Sequence, residues 1–182
     1  MLYSMVQVVL EVLAAVLAGA CLLRLVMQWQ RISFAQPLGR FVMAVTDWLV
    51  LPLRRVLPAW RRWDTASLVG AWLIKLTQMV LLWLLIGAPG AALALLPASL
   101  LALAQLVVSA LSALVLVYAL MSWLQPGSDL YYTLGRLCEP WLAPVRRVMP
   151  LIGGVDLSPL VLLVVLQLVG MVLASGLRGL PF

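Results

Sequence analysis

The chain has 182 residues, of which 65% are hydrophobic and only 10% are charged. Soluble domains have about 45–50% apolar and about 25% charged residues. This composition, with a mean hydropathy of +1.14, therefore excludes a water-soluble fold and indicates a multispanning membrane protein. The net charge of +6 comes from arginines that flank apolar segments, as the residues that orient helices in a bilayer do, so we expect no nucleic-acid partner.

Histidine is absent, and without it the common zinc, haem and general-base arrangements cannot be built. We therefore expect no metal, no cofactor, no catalytic residue and no enzymatic activity.

The first half of the chain predicts two membrane-spanning helices with an amphipathic segment between them. The apolar runs extend from about residue 5 to 26 and from about 67 to 86, close to the ~20 residues that cross the hydrocarbon. The segment over about residues 38–51 is too short to span, and its pattern predicts a helix in the membrane interface. The apolar residues that recur along it at helical spacing are Leu38, Phe41, Val42, Val45 and Leu49. Pro52 is expected to end this helix, because proline lacks a donor and clashes with the preceding turn. Asp64 is expected to cap the next helix.

The second half repeats this order. Apolar runs at about 98 to 124 and about 158 to 177 predict a third and a fourth span. They follow a turn of residues 87–97 that carries no charge. Between them lies a second amphipathic segment, one face of which consists of Leu130, Leu134, Leu137, Cys138 and Trp141. Serine at the N-cap with proline at the first helical position, as in Ser158 and Pro159, is a start signal for the fourth span.

A motif of acids, prolines and a double arginine occurs twice, 92 residues apart and in the same register. The first copy comprises Asp47, Pro52, Arg54, Arg55, Val56, Pro58 and Asp64. The second comprises Glu139, Pro144, Arg146, Arg147, Val148, Pro150 and Asp156. This duplication predicts an all-α membrane protein with four transmembrane helices as two parallel tandem repeats, each with an interfacial amphipathic helical hairpin. The repeats would be residues 1–90 and 91–182 of a single membrane domain. Because arginine collects in cytoplasmic loops, linkers 28–66 and 125–158 are expected in the cytoplasm and both termini in the periplasm.

The double arginines, Arg54-Arg55 and Arg146-Arg147, have three interpretations. They bind anionic lipid headgroups or a protein partner, or they pair with nearby acids and fix each hairpin against its span, or they only orient the helices. Orientation needs no fixed spacing, so identical spacing in two copies favours a defined shape. Structural ion pairs are therefore the first prediction and lipid or partner binding is the second. The acids expected in these pairs are Asp47, Asp64, Glu139 and Asp156.

Glu11, Lys75 and Gln167 are polar residues within the predicted spans. A charge near the centre of a bilayer costs at least ~2.5–3.5 kcal/mol on insertion scales, so Glu11 and Lys75 each need a partner or a task. A pair between two helices, or separate snorkelling toward the surfaces, is preferred to a cation pathway that Gln78 and Gln105 would help to line. The reason is that one acidic residue within the spans is too few to define an ion path.

The stretch from Glu139 to Pro159 resembles the signature of the YggT (YlmG-like) family of small membrane proteins. The resemblance rests on Pro144, Arg146, Arg147, Pro150, Gly153, Gly154, Asp156 and Ser158. The first half is similar more loosely, since Trp48, Thr65 and Ser67 stand where the family has Pro, Leu and Pro. Two tandem copies in one short chain resemble the proteobacterial form, which implies a bacterial inner membrane. The resemblance also implies links to osmotic-shock tolerance and potassium uptake, to cell division, and to cytochrome cofactor assembly, but it supplies no catalytic residue.

These observations predict a non-enzymatic accessory or assembly factor in envelope, osmotic and ion homeostasis, acting through cytoplasmic Pro-x-Arg-Arg hairpins. An ion channel or transport component, for potassium by the resemblance, is the first alternative. A cell-division or cytochrome cofactor-assembly factor is the second. The expected partners are anionic lipid headgroups, together with membrane protein partners or a second copy of the chain.

Overall fold

α-Helices and the short segments that join them make up the residues that the computed structural model describes, which are 2–57, 64–86, 94–148 and 156–178. In those ranges six helices follow one another: α1 (Leu2–Trp29), α2 (Pro37–Val56), α3 (Thr65–Ile86), α4 (Leu95–Leu124), α5 (Asp129–Val148) and α6 (Ser158–Arg178). The predicted all-α class is therefore confirmed for this part of the chain. Some motif residues and most of the predicted 87–97 turn lie outside the described residues, among them Pro58, Pro150, Gly153 and Gly154.

Four of the described helices are long and apolar enough to cross a membrane: Ser4–Trp29, Thr65–Leu85, Leu95–Leu124 and Ser158–Gly176. Their outward side chains are largely apolar, as contact with lipid requires. Along α1, for example, Val8, Val12 and Val16 are each more than half exposed. These helices begin and end within a few residues of the predicted spans. At ~1.5 Å per residue, each is about as long as, or longer than, the ~30 Å of hydrocarbon that a spanning helix must cross.

Three prolines lie inside α2 and α5, which corrects the prediction that the first amphipathic helix ends at Pro52. α2 continues for another turn beyond Pro52, and α5 continues through both Pro140 and Pro144. A proline inside a helix costs about 3 kcal/mol, because it removes a backbone donor and crowds the preceding turn. The ladder nevertheless resumes at once, since the N–H of Leu57 donates to the carbonyl of Leu53 at 2.8 Å. The double arginines therefore lie in the last turns of two helices.

The buried face of α2 differs from the predicted one, whereas that of α5 keeps three of its five predicted residues, Leu134, Leu137 and Cys138. The buried residues of α2 are Gly39, Val42, Thr46 and Val50. Those of α5 are Thr133, Leu134, Leu137, Cys138 and Leu142. Phe41 and Leu130, which belonged to the predicted faces, are both exposed. A face chosen for apolarity alone missed Gly39 and Thr46, because glycine faces inward for close approach and threonine for hydrogen bonding.

The chain divides into two compact units, Met1–Val107 with Ala174–Phe182, and Val108–Leu173. In the first unit, α1, α2 and α3 pack around a core of mostly small residues: Ala18, Cys21, Leu22, Val50, Ala66, Ala71 and Leu106. Small side chains let helices approach closely, so α2 packs directly against α1 and α3. In the second unit, the ring of Tyr118 packs against Gly135 of α5, where an added Cβ would lie 3.3 Å from the ring.

Candidate functional site

The first arginine of the first pair holds three helices together. Arg54 lies in the last turn of α2, and its Nη2 is 2.5 Å from Oδ2 of Asp64, the residue that precedes α3. Its Nε donates to Oδ1 of the same carboxylate at 3.4 Å. Nη2 also donates to Oε1 of Gln28, near the end of α1, at 2.7 Å. Arg54 thus joins α2 both to the end of α1 and to the start of α3.

A further arginine, Arg24 of α1, completes this first cluster. Only 2% of its side chain is exposed. Its Nη1 donates to Oγ1 of Thr46 at 2.7 Å and to Oδ1 of Asp47 at 2.6 Å, and its Nε lies 4.0 Å from Oδ2 of Asp64. Sequence reasoning did not select Arg24. The available signal was its place five residues before the end of an apolar helix, where an arginine needs a partner.

Asp64 is the centre of the first cluster and is fully buried. Its carboxylate accepts a hydrogen bond from Oγ of Ser67 at 2.6 Å, and its carbonyl accepts from the N–H of Ser67 at 3.0 Å. It thereby occupies the predicted capping position of α3. Burial alone would raise the pKa of Asp64, but hydrogen bonds from Arg54 and Ser67 outweigh it and hold the pKa below its ordinary value of 3.8. Two arginines and two aspartates therefore balance in charge, which buried ionic groups require.

Arg146 makes the corresponding contact in the second half. Its Nε donates to Oδ2 of Asp156 at 2.9 Å, and its Nη1 donates to Oε2 of Glu139 at 2.9 Å. Its Nη2 donates to the hydroxyl of Tyr118 at 3.1 Å, whose ring stacks on Tyr131 with centroids 5.3 Å apart. The side chain of Glu139 is 56% exposed and that of Asp156 is 32% exposed. This second cluster is therefore more open to water than the first, in which Arg24 and Asp64 are buried.

Asp156 also caps the helix that follows it. Its Oδ1 accepts a hydrogen bond from the N–H of Ser158 at 2.9 Å, which satisfies one of the donors left free at the start of α6. Burial would raise the pKa of Asp156, yet hydrogen bonds from Ser158 and Arg146 outweigh it and hold the pKa below 3.8. Ser158 was the predicted cap, but it is the first residue of α6, and Asp156 supplies the capping oxygen.

The second arginine of each pair has different surroundings. Arg55 and Arg147 are exposed, and among the described residues neither has a hydrogen-bond or ion-pair partner. Neighbouring side chains on an α-helix point about 100° apart, so the inward position of Arg54 and Arg146 directs the next residue away. Each pair therefore consists of one guanidinium held within the protein and one presented outward.

The polar residues of the spanning helices do not form one cluster with these arginines. Lys75 is buried, and its Nζ donates to Oε1 of Gln78, one turn further along α3, at 2.8 Å. Glu11 lies at an exposed position of α1, and Gln167 at an exposed position of α6. In α4, Oε1 of Gln105 is buried and lacks a hydrogen-bond partner in the described part of the chain. The ammonium of Lys75 thus has an uncharged partner on its own helix.

The chemistry available to this arrangement is electrostatic. Across the described ranges, no group of three or more His, Cys, Asp or Glu residues could hold a metal ion. Cys21 and Cys138 are buried thiols, and burial raises the pKa of Cys138 to about 12, which disfavours the reactive thiolate. The two clusters join helix ends, and each leaves one guanidinium available for an anionic group.

Four long apolar helices, with shorter helices held against them by ion pairs, define a multi-pass membrane protein. The chain belongs to the CCB3/YggT family, whose model matches residues 3–85 and 97–177. It is 36% identical over 163 residues to "Uncharacterized protein YggT" of Escherichia coli (strain K12), a match that covers 87% of this chain and 83% of the relative. It is 34% identical over 178 residues to "Uncharacterized protein PA0392" of Pseudomonas aeruginosa, covering 94% and 89%. No solved structure matches the chain significantly.

Proposed function

We propose that the protein is a non-enzymatic accessory or assembly factor of a bacterial inner membrane. It serves envelope, osmotic and ion homeostasis through the arginine-bearing ends of α2 and α5. In this proposal residues 1–90 and 91–182 are parallel tandem repeats, linkers 28–66 and 125–158 are cytoplasmic, and both termini are periplasmic. The bacterial relatives support the choice of membrane.

The repeat is supported by a shared contact. Arg54 and Arg146 each hold an aspartate ten residues further along the chain, with Nη2 or Nε donating to Oδ2. Each of these aspartates stands at the start of a spanning helix. The family model, which matches the two segments 3–85 and 97–177, supports the same division.

The orientation is supported by the distribution of arginines. Exposed arginines occur between α1 and α3 and again between α4 and α6, at Arg31, Arg40, Arg55, Arg136 and Arg147. Positive residues near span ends collect on the cytoplasmic side. Two spans in each half return the chain to its starting side, so both groups of arginines face one compartment.

The observation that carries the proposal is that, in each pair, one arginine binds an aspartate and the other is exposed. Arg54 and Arg146 form ion pairs with Asp64 and Asp156, so the structural role of fixing each helix against its span accounts for them. That structural role does not account for Arg55 or Arg147, which are exposed at the same helix ends. A free guanidinium can form two parallel hydrogen bonds with a phosphate or carboxylate. The outward arginines are therefore the groups available for anionic lipid headgroups or an acidic membrane protein partner.

Two double variants with the same charge test this proposal. Replacing Arg55 and Arg147 with alanine should reduce the anionic lipid and membrane protein that co-purify with the chain, while its thermal stability is kept. Replacing Arg54 and Arg146 with alanine removes the same charge from the same helices and should instead lower thermal stability. An unchanged set of lipid and protein partners in the first variant would contradict the proposal.

An ion-transport role is the second candidate, and one observation favours it. The first unit contains the buried Lys75 bonded to Gln78, and also the buried Oε1 of Gln105, which has no hydrogen-bond partner among the described residues. Polar groups at membrane depth often belong to ion paths. Potassium flux into liposomes that contain purified protein tests this role, with Lys75→Leu as the diagnostic variant. Specific flux that this substitution abolishes would place transport ahead of the accessory role.

A further inference from the structure

α2 has a second apolar face, opposite the one buried in the first unit. This outer face consists of Phe41, Ala44, Trp48 and Leu51, with Arg40 and Arg55 at its ends. The spacing of three, four and three residues places the apolar members on one side of a helix. Phe41 is 60% exposed, Trp48 62% and Leu51 50%. Large apolar side chains exposed in one stripe mark a contact surface.

The depth of α2 decides what contacts this face. Val50 shares its core with Cys21 and Ala71, and Leu49 lies 3.4 Å from the position that a Cβ on Gly70 would take. Cys21 is eight residues from the end of α1, and Gly70 is five residues from the start of α3. At ~1.5 Å per residue these contacts lie roughly 7 to 12 Å inside the spanning helices. α2 therefore packs alongside the spans and does not lie across their ends.

A helix at that depth meets lipid on its outer side. Leu68 of α3, within the same part of the first unit, is also exposed, so the outer surface of the span is apolar at this level as well. The indole N–H of Trp48 donates to the carbonyl of Val45 at 2.7 Å, so its polar atom has a partner without water. Tryptophan is typical of the boundary between headgroups and acyl chains. Arg40 and Arg55 can reach headgroup phosphates from the two ends of the stripe.

The matching face of α5 is more polar. The positions 92 residues further along from Arg40, Ala44, Trp48 and Arg55 are Tyr132, Arg136, Pro140 and Arg147, and all four are exposed. The position that matches Phe41 is Thr133, which is buried. An arginine and a proline in place of an alanine and a tryptophan suit contact with water.

We propose that the outer face of α2 is inserted in the membrane leaflet at which α1 ends and α3 begins. Acyl chains contact Phe41, Trp48 and Leu51, and anionic headgroups bind Arg40 and Arg55. The matching face of α5 contacts water. The insertion of Phe41, Trp48 and Leu51 goes beyond the proposed function, because it depends only on α1 and α3 crossing the membrane, whereas the headgroup contact of Arg55 rests on the proposed function.

Nitroxide labels at matched positions test the proposal. Ala44→Cys and Arg136→Cys stand at equivalent places, and the native thiols Cys21 and Cys138 are buried, so the labelled wild-type protein measures any background. The protein is reconstituted in vesicles of phosphatidylcholine and phosphatidylglycerol in equal parts. Power-saturation electron paramagnetic resonance then compares collisions with oxygen, which enters lipid, and with a water-soluble nickel chelate.

The expected result is a severalfold higher ratio of oxygen to nickel collisions at position 44 than at position 136. A second pair, Trp48→Cys and Pro140→Cys, should give the same contrast and guards against a local effect of one substitution. Nickel access at position 44 that is high and equal to that at position 136 would overturn the proposal, because the outer face would then be in water. Low access to both reagents at position 44 would also overturn it, because a protein partner or a second copy would then cover the face.

The lipid charge provides the remaining arm of the test. With Arg40→Gln and Arg55→Gln together, the label at position 44 should no longer respond when phosphatidylglycerol is replaced by phosphatidylcholine. In the protein with Arg40 and Arg55 intact, the same replacement should lower the ratio of oxygen to nickel collisions at position 44. A shift of equal size in both would remove the headgroup contacts from the proposal. The contrast in collision ratio between positions 44 and 136 does not depend on what co-purifies with the protein, so failure of the co-purification experiment would be distinguishable from failure here.

Discussion

Arg24 and Tyr118 occupy equivalent places but have opposite roles toward their neighbours. Each stands five residues before a tryptophan near the end of a long apolar helix, Trp29 or Trp123. Arg24 donates to an acid of α2, whereas the hydroxyl of Tyr118 accepts from an arginine of α5. The first cluster therefore has two arginines and two aspartates. The second has one arginine, two acids and a phenol.

The burial of Arg24 predicts a large effect of its removal. Arg24→Met should lower the free energy of unfolding by about 3–5 kcal/mol, because it leaves Asp47 and Asp64 short of a buried partner. Arg31→Met, which removes the same charge from an exposed position, should change it by less than about 0.5 kcal/mol. Thermal unfolding in detergent, followed by circular dichroism, compares them. Equal losses would show that Arg24 acts only through net charge.

Removing the hydroxyl of Tyr118 should have a smaller effect. Tyr118→Phe keeps the stacked ring and deletes one acceptor of Arg146, which still has two carboxylate partners. The expected loss is about 0.5–1.5 kcal/mol, the usual net value of a hydrogen bond. Tyr132→Phe, at an exposed position of α5, is the matched control and should leave the midpoint of thermal unfolding unchanged. A loss as large as that of Arg24→Met would show that the second cluster is as closed as the first.

The acids that hold the first arginines predict how stability depends on pH. Burial opposes the charged form of Asp64 and Asp156, but hydrogen bonds hold each pKa below 3.8 in the folded protein. Folding therefore makes protonation harder, so the stabilisation is complete above the unfolded pKa and is lost as the pH falls through the folded pKa. The midpoint of thermal unfolding should stay level from neutral pH until about 4 and then fall. Asp156→Asn should reduce that fall, and a decline already complete above pH 5 would contradict this account.

Two glycines should respond in opposite directions to alanine. A Cβ at Gly39 would lie 2.6 Å from Cα of Phe34, whereas nothing lies within 4 Å of one at Gly19. Gly39→Ala should therefore displace the start of α2 and destabilise the fold. Gly19→Ala should stabilise α1 by roughly 0.5–1 kcal/mol, because alanine loses less backbone freedom than glycine. Equal changes in the midpoints of thermal unfolding of the two variants would show that the structure accommodates the contact with Phe34 at no cost in stability.

The spanning helices could be predicted from sequence because the membrane sets one simple requirement, about 20 consecutive apolar residues. The acidic partners of the arginines could be predicted for a similar reason. Asp64 and Asp156 follow an arginine at the same distance in both copies, and the fixed spacing between oppositely charged groups indicated a contact.

The rest depended on packing, which spacing within one segment does not reveal. Arg24 lies outside the repeated motif, and Tyr118 is not an arginine, so the duplication concealed the equivalence of the two. Pro52 did not end α2, because the helix is held by contacts on both sides of the proline, at Val50 and at Arg54. These contacts involve α1 and α3, which are distant in the chain.

The internal prolines limit how deep each amphipathic helix can rest. Pro52 has no N–H to offer the carbonyl of Trp48, and Pro140 and Pro144 leave two such oxygens, those of Arg136 and Pro140, without helical donors. In hydrocarbon an unsatisfied carbonyl costs several kcal/mol, so every such oxygen must stay within reach of water or a headgroup. α2, with one of them, can sink only to the level at which water or a headgroup still reaches the carbonyl of Trp48. α5, with two, is kept nearer the aqueous side.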